Sequence, residues 1–135
     1  MTFKIDADNP ITVAGGQRDQ SDPSITFAEG SGYVVAYVDE GGHNTDYFVK
    51  AYSSGSDSVS GLIGYGLSNG QWEPDVFTFP NGDIGTAFAK SSKVFVYIYS
   101  GNDIQFSAAT PTNGGGIARG VSATSLNDGG FLVTY

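Results

Sequence analysis

The sequence contains no cysteine, and histidine, methionine and tryptophan occur once each. Without a thiol, disulfide scaffolds, zinc ribbons, iron–sulfur clusters and thiol catalysis are excluded. Positive charge is scarce as well. Six Lys and Arg stand against 14 Asp and Glu, for a formal net charge of −8. A balance of that sign argues against binding nucleic acid through a broad basic face. Six dispersed cations also supply no basic amphipathic stretch for a membrane surface. No run approaches the roughly 18 apolar residues of a membrane helix; the longest, 33–37 and 94–99, are the size of strands. The opening Met1-Thr2-Phe3-Lys4-Ile5-Asp6 has neither an apolar core nor a basic flank, so no secretory signal is expected there.

Helix signals are missing too. No window carries apolar residues at i, i+3, i+4 and i+7 without Gly, Ser or Asp interrupting it. What is abundant is Gly, 20 residues, together with eight Tyr and nine Phe in a chain of 135. Gly punctuates turns and aromatics fill strands, so the pairing points to many short strands in one all-β domain. A chain of this length buries enough surface to hold a core without covalent or metal staples. Expected strands are 24–28, 32–39, 47–52, 61–65, 75–79, 84–89, 93–99, 104–108, 120–125 and 131–135. Two weaker ones, 2–6 and 11–14, precede them. Strand 93–99 alternates Val94, Val96, Ile98 with Phe95, Tyr97, Tyr99, so both of its faces are expected to be covered.

Internal repetition organises these strands. Gln20-Ser21-Asp22-Pro23-Ser24-Ile25 aligns with Gln71-Trp72-Glu73-Pro74-Asp75-Val76, the two prolines standing 51 residues apart. Each motif leads through a Gly-containing turn into an apolar strand with an aromatic 14 residues after the Pro, Tyr37 and Phe88. A degraded third copy begins at Ala118-Arg119-Gly120-Val121, about five residues early, and passes through Asn127-Asp128-Gly129-Gly130 to Phe131–Tyr135. Four antiparallel strands recurring every 40 to 50 residues are the signature of a β-propeller blade. The strands divide into a half-blade over 1–19, full repeats over 20–70 and 71–116, and a half-blade over 117–135. Three blade equivalents fall short of the usual four to eight. The expectation is therefore a homodimer that completes a ring by exchanging half-blades. A β-prism, a β-trefoil and an ordinary sandwich are the alternatives. The chain stops inside a strand, which suits a tightly packed terminus or a truncated array of repeats.

The pattern Gln-x-acid-Pro-x-Ile/Val, a turn such as Asn127-Asp128-Gly129-Gly130, and Phe131-Leu132-Val133-Thr134-Tyr135 resembles a repeat of large bacterial surface and secreted proteins. Those proteins often carry RTX-type calcium-binding segments, and their repeat is pictured as a propeller-like β unit. The resemblance spans most of 17–135. It implies a propeller-like fold and a place on an extracellular, cell or virion surface. This sequence departs from the pattern where Trp usually closes the second strand, having Tyr37, Phe88 and Tyr135 instead.

Candidate chemistry is thin. Ca²⁺ needs six to eight oxygen ligands, and Asp6, Asp8 and Asn9 put three candidates in four residues; 55–59 and 101–103 imitate fragments of calcium loops. None recurs in tandem and no EF-hand loop is present, so solvated turn carboxylates are the plainer account. His43, in a Gly-rich loop, has no local partner that would make it a catalytic base. Asp22 with Glu73, or Asp75 with Asp83, could form a two-carboxylate glycosidase pair. Asp22 and Glu73, however, hold equivalent repeat positions, which suits a structural turn or a repeated binding site better than an asymmetric acid and base. No enzyme is expected. The Pro after each acid is expected to force that acid into an extended conformation. Gly114–Gly116 and 64–66 lie between no strand and helix, so phosphate cradling is not expected. The sharper expectation is a lectin-like, adhesive site. Aromatic faces stack on sugar rings while carboxylates and amides bind hydroxyls, and Trp72, Gln71, Glu73, Gln20 and Asp22 cluster those groups at loop ends. A Trp72 packed between blades, and a purely structural self-assembling module, are the competing accounts.

Overall fold

The computed structural model describes residues 19–28, 32–41, 44–52, 59–65, 71–90, 92–101, 103–111 and 120–135. The expected strands at 2–6 and 11–14, Asp6, Asp8, Asn9 and His43 lie outside the described residues, as do 114–116. Among the described residues the fold is all-β and antiparallel. One sheet contains β1 (Asp19–Ala28), β2 (Gly32–Gly41), β3 (Asn44–Tyr52) and β4 (Val59–Tyr65) in chain order. A second contains β5 (Gln71–Thr78), β6 (Ile84–Lys90), β7 (Lys93–Ser100) and β8 (Asp103–Pro111), again in chain order. β9 (Ser122–Ser125) and β10 (Phe131–Thr134) form a two-stranded hairpin. Among the described residues no sheet closes on itself.

β1 and β5 both start earlier than the sequence suggests, because each runs through its Pro. Pro lacks an N–H and is tolerated on edge strands and at bulges. Both conditions are met. β1 and β5 are the first strands of their sheets, and their pairing registers shift between Ser21 and Ser24 and between Trp72 and Asp75. The expected extended conformation before each Pro is wrong. Asp22 has φ 51° and Glu73 has φ 54°. The bulge requires a left-handed residue there, and that demand overrides the preference of a pre-proline residue for extended backbone. Gly120, at φ 64°, has the same turn of backbone before β9, so Val121 rather than Gly120 is the counterpart of Pro74.

The hairpin turns after β5 and β9 match as well. Phe79 N–H reaches the Asp83 carbonyl at 2.9 Å and Gly82 N–H the Phe79 carbonyl at 3.0 Å. Leu126 and Gly130, and Gly129 and Leu126, pair likewise at 2.8 and 3.1 Å. Each loop needs a left-handed residue, supplied by Gly82 (φ 88°) and Gly129 (φ 86°).

The core lies between sheets packed face to face, in two layers. In the first, Ala28, Val34, Ala36 and Val49 of the β1–β4 sheet meet Val76, Ile84, Phe88 and Tyr99 of the β5–β8 sheet. Phe88 stacks on Phe95 at 5.6 Å and tilts against Tyr97 at 5.5 Å. In the second layer the opposite face of β5–β8 (Phe77, Ala87, Ala89, Val94, Val96) meets Val121, Ala123, Phe131 and Val133 of the β9–β10 sheet. The middle sheet is thus covered on both sides at β6, whose residues 84–89 are all buried, while β8 is exposed over 103–110. On β7, Val94 and Val96 serve one layer while Phe95, Tyr97 and Tyr99 serve the other, as its alternation requires. Each burial of a Val, Ile or Phe side chain is worth about 1.5–3 kcal/mol.

Candidate functional site

The strands that lead their sheets, β1, β5 and β9, lie side by side, and side chains rather than a backbone ladder join them. Asp75 is the centre of this stitching. Its Oδ1 accepts from Ser24 Oγ at 2.5 Å and from its neighbour Val76 N–H at 3.0 Å. Its Oδ2 accepts from Ala123 N–H at 2.7 Å and Ser122 Oγ at 3.3 Å. One carboxylate therefore ties three sheets together. Further along, Thr78 Oγ1 donates to the Phe27 carbonyl at 3.1 Å, and Ser125 Oγ donates to the Thr78 carbonyl at 2.6 Å. Glu73 Oε2 accepts from Gly120 N–H. The side-chain bonds of Ser24 and Thr78 span 51 residues between β1 and β5, and those of Glu73, Ser122 and Ser125 span 47 between β5 and β9, the same intervals that separate the matching backbone features.

At the ends of the three strands, where β1 and β5 are bulged, lies an open depression of about 300 Å³, lined by Asp22, Pro23, Ser24, Glu73, Pro74, Asp75, Val121 and Ser122. Two of the sequence candidates, Asp22 and Glu73, are brought together here. Asp22 is exposed and receives Ser21 Oγ at 3.4 Å. Glu73 is half-buried and already engaged by Gly120. For Gln20, Gln71 and Trp72 the structure describes backbone pairing alone: opposite Asp39, Lys90 and Ala89, just before the bulges. Asp83 is not near this depression. It lines another, of about 340 Å³, between the hairpin turns at Asn81 and Asp128. The Asp75–Asp83 pairing considered from sequence is therefore split between two ends of the molecule.

Chemically, the rim of the bulged end offers carboxylate acceptors, Ser hydroxyls and two proline rings, a surface suited to hydroxyl-rich ligands. Among the described residues no three His, Asp or Glu side chains gather as a metal-binding set. Asp75 has both oxygens occupied by hydrogen bonds, so it brings no free ligand atom to a cation. The residues that sequence reasoning passed over are the hydroxyls: Ser24, Thr78, Ser122 and Ser125. Their signal was present, since carrying the 51-residue alignment past the Pro sets Ser24 against Asp75.

Compared with known proteins, the chain matches no protein-family model, no curated protein and no solved structure at a significant level. No helix among the described residues is long and apolar enough to cross a membrane.

Proposed function

We propose that this chain is a non-enzymatic recognition and adhesion module, built of propeller-like β units set around a common axis. The observation that carries it is the meeting of three matching segments, 22–24, 73–75 and 120–122, around one depression. Serial units of one kind bring equivalent residues to one axis, and the leading strands of propeller blades surround such an axis. A prism, a trefoil or a plain sandwich gives no reason for a left-handed residue to stand at the same end of each leading strand. The ligand class that suits the rim is carbohydrate. Asp22 has acceptor capacity facing water, and Trp72, with Gln71 and Gln20 beside the bulges, supplies the stacking and amide groups sugars need. Both oxygens of Asp75 are taken up in joining neighbouring sheets, which supports a structural part for that carboxylate rather than acid–base chemistry. A cell or virion surface is the setting that the resemblance implies.

The test is a glycan array probed with the wild-type protein, Trp72→Ala and Asp22→Ala. Binding by wild type, lost in Trp72→Ala and weakened at least tenfold in Asp22→Ala, is the expected outcome. A wild-type protein that binds no glycan at any concentration sinks the carbohydrate assignment.

A purely structural module is the second reading, and one observation favours it: Asp75 and Glu73 both serve as mortar between sheets. Calcium at Asp6, Asp8 and Asn9 belongs to the resemblance alone. A melting temperature unchanged by chelator removes it.

A further inference from the structure

The two core layers use the same faces in the same order. Call the face of Ala28, Val34 and Ala36 the front of the β1–β4 sheet; it packs on the back of the β5–β8 sheet, where Val76 and Ile84 stand. The front of β5–β8, with Phe77, Ala87 and Val96, packs on the back of β9–β10, where Ala123 and Phe131 stand. Front on back occurs twice. The pairing registers fix which residues correspond. Thr78 pairs with Ile84, Phe27 with Tyr33 and Ser125 with Phe131, so Ile25, Val76 and Ala123 are one position, and Val34, Gly85 and Leu132 are another.

At the two ends of this stack one front and one back are left over, and both expose large apolar side chains. On the back of β1, Ile25 is 67% and Phe27 68% exposed, although Val76, the counterpart of Ile25, is 4% exposed. On the front of β9–β10, Leu126 is 42% and Leu132 55% exposed, although their counterparts Ala28 and Val34 are 2% and 0%. Elsewhere on the back of the β1–β4 sheet, Val35 and Tyr37 are buried, so among the described side chains the open part of that face is on β1. In the existing layer the leading strand β5 contributes Val76 to the cluster that holds Ala28, Val34 and Ala36. The chemistry of the ends also differs from that of the inner junctions. Thr78 and Ser125 send a hydroxyl back to the preceding strand, whereas Phe27 at that position has none. The surface at Phe27 is thus apolar where the inner junctions are hydrogen-bonded.

We propose that the occupant of both ends is a second copy of this chain: the Leu126/Leu132 face of one copy seats on the Ile25/Phe27 edge of the other. This rests on reading the sheets as serial units of one kind. A front and a back are different surfaces, so the contact is head to tail. Two copies joined twice close a ring of six units, counted as the sequence divides them, which is within the usual range. Large exposed apolar side chains at two complementary surfaces are what such a contact buries.

The experiment is light-scattering mass across a concentration series up to about 100 µM, on wild type and two paired variants. One is Ile25→Ser with Phe27→Ser; the other is Leu126→Ser with Leu132→Ser. All four side chains are exposed, and circular dichroism and melting confirm that each variant keeps its fold. Wild type is expected at twice the 14.1 kDa of one copy. Each paired variant is expected at a single copy, its dissociation constant raised about 100-fold or more, equivalent to about 2.7 kcal/mol. An equimolar mixture of the two variants regains the dimer, because one intact junction survives between them. Wild type at the mass of one copy throughout overturns the proposal. So does a dimer that either pair leaves intact, since a head-to-tail contact needs both surfaces. A monomeric wild type that still binds glycan overturns the dimer and leaves the recognition reading standing.

Discussion

β1 and β5 share a bulge, a left-handed acid before Pro and the leading place in a four-stranded sheet, yet Ile25 is two-thirds exposed on one and Val76 is buried on the other. The shared part is local. Acid-Pro at a strand edge, followed by a β-branched residue, sets the bulge whatever stands beside it. The different part is not local. Val76 is buried because the β1–β4 sheet covers it, and no described sheet stands in that relation to Ile25. Conformation here is encoded within a dozen residues, while burial is conferred by the neighbouring sheet.

The sharpest way to break the comparison is to remove Asp75, where β5 departs from β1. Ser24 at the matching position offers a single hydroxyl to one neighbour, while Asp75 gathers donors from both. Hydrogen bonds to a charged group contribute about 1.5–3 kcal/mol each when a partner is removed, and buried donors left behind add to the loss. Asp75→Ala is expected to lose about 3–4 kcal/mol in urea unfolding, with an unchanged slope. Ser24→Ala is expected to lose about 1 kcal/mol. Equal losses in the two variants would mean that Asp75 does not join the third sheet to the other two.

Gly85 distinguishes the sheets in a second way. Its cross-strand partner is Phe77, and a Cβ built on Gly85 would come within 2.2 Å of the Phe77 ring. The ring has no room to retreat, since it packs against Phe79 at 5.4 Å and Phe131 at 6.2 Å. The matching pairs are Thr26 with Val34 and Thr124 with Leu132, small against larger in both. Gly85→Val is therefore expected to cost about 2–3 kcal/mol through overpacking. Adding Phe77→Thr recreates the pair used in the first sheet, and the double variant should cost at least about 1 kcal/mol less than the sum of the singles. Strict additivity in thermal or urea melts would show that the ring and the glycine are not a matched pair.

Much of this could be read in the sequence, for the same local reason. Turn chemistry, alternation and the 51-residue interval give all ten described strands within a few residues. They also give the equivalence of Asp22 with Glu73 and of Tyr37 with Phe88. Strand starts at 19 and 71 were not legible, because Pro reads as a boundary until an edge bulge is known to absorb it. Nor was the role of Glu73. Its carboxylate looked free for a ligand, and only the packing of β9 beside β5 brings the Gly120 N–H to it. Asp75 entered the sequence reading only as half of a pair with Asp83 that was weighed and set aside, since sequence gives proximity along the chain and not which end of a hairpin a side chain occupies.

Thr86 sharpens the contrast from the buried side. It is wholly buried, and its hydroxyl has no hydrogen-bond partner among the described residues. By register it matches Val35 and Val133, which have a methyl there. An unsatisfied buried hydroxyl costs about 1–3 kcal/mol in desolvation, and Val has nearly the same shape. Thr86→Val should raise stability by about 1 kcal/mol, seen as a higher urea midpoint. A loss of stability would mean that the hydroxyl is satisfied by a group outside the described set.

The smallest effect returns to the bulge itself, where β1 and β5 look most alike. A left-handed conformation costs a residue with a Cβ about 1–2 kcal/mol, and the third sheet avoids that cost with Gly120. Glycine gives back about 0.5–1 kcal/mol through the greater freedom of its unfolded chain. Asp22→Gly relieves the strain and gives up only an exposed contact with Ser21, so a net gain of about 0.5 kcal/mol is expected. Glu73→Gly relieves the same strain but deletes the acceptor for Gly120 N–H, so a net loss of about 0.5–1 kcal/mol is expected. Opposite signs at two positions with the same φ would separate what the backbone demands from what the neighbouring sheet demands. If both variants gained stability equally, the Glu73–Gly120 contact would contribute nothing, and the β5–β9 junction would rest on Asp75, the Ser125–Thr78 bond and the apolar layer.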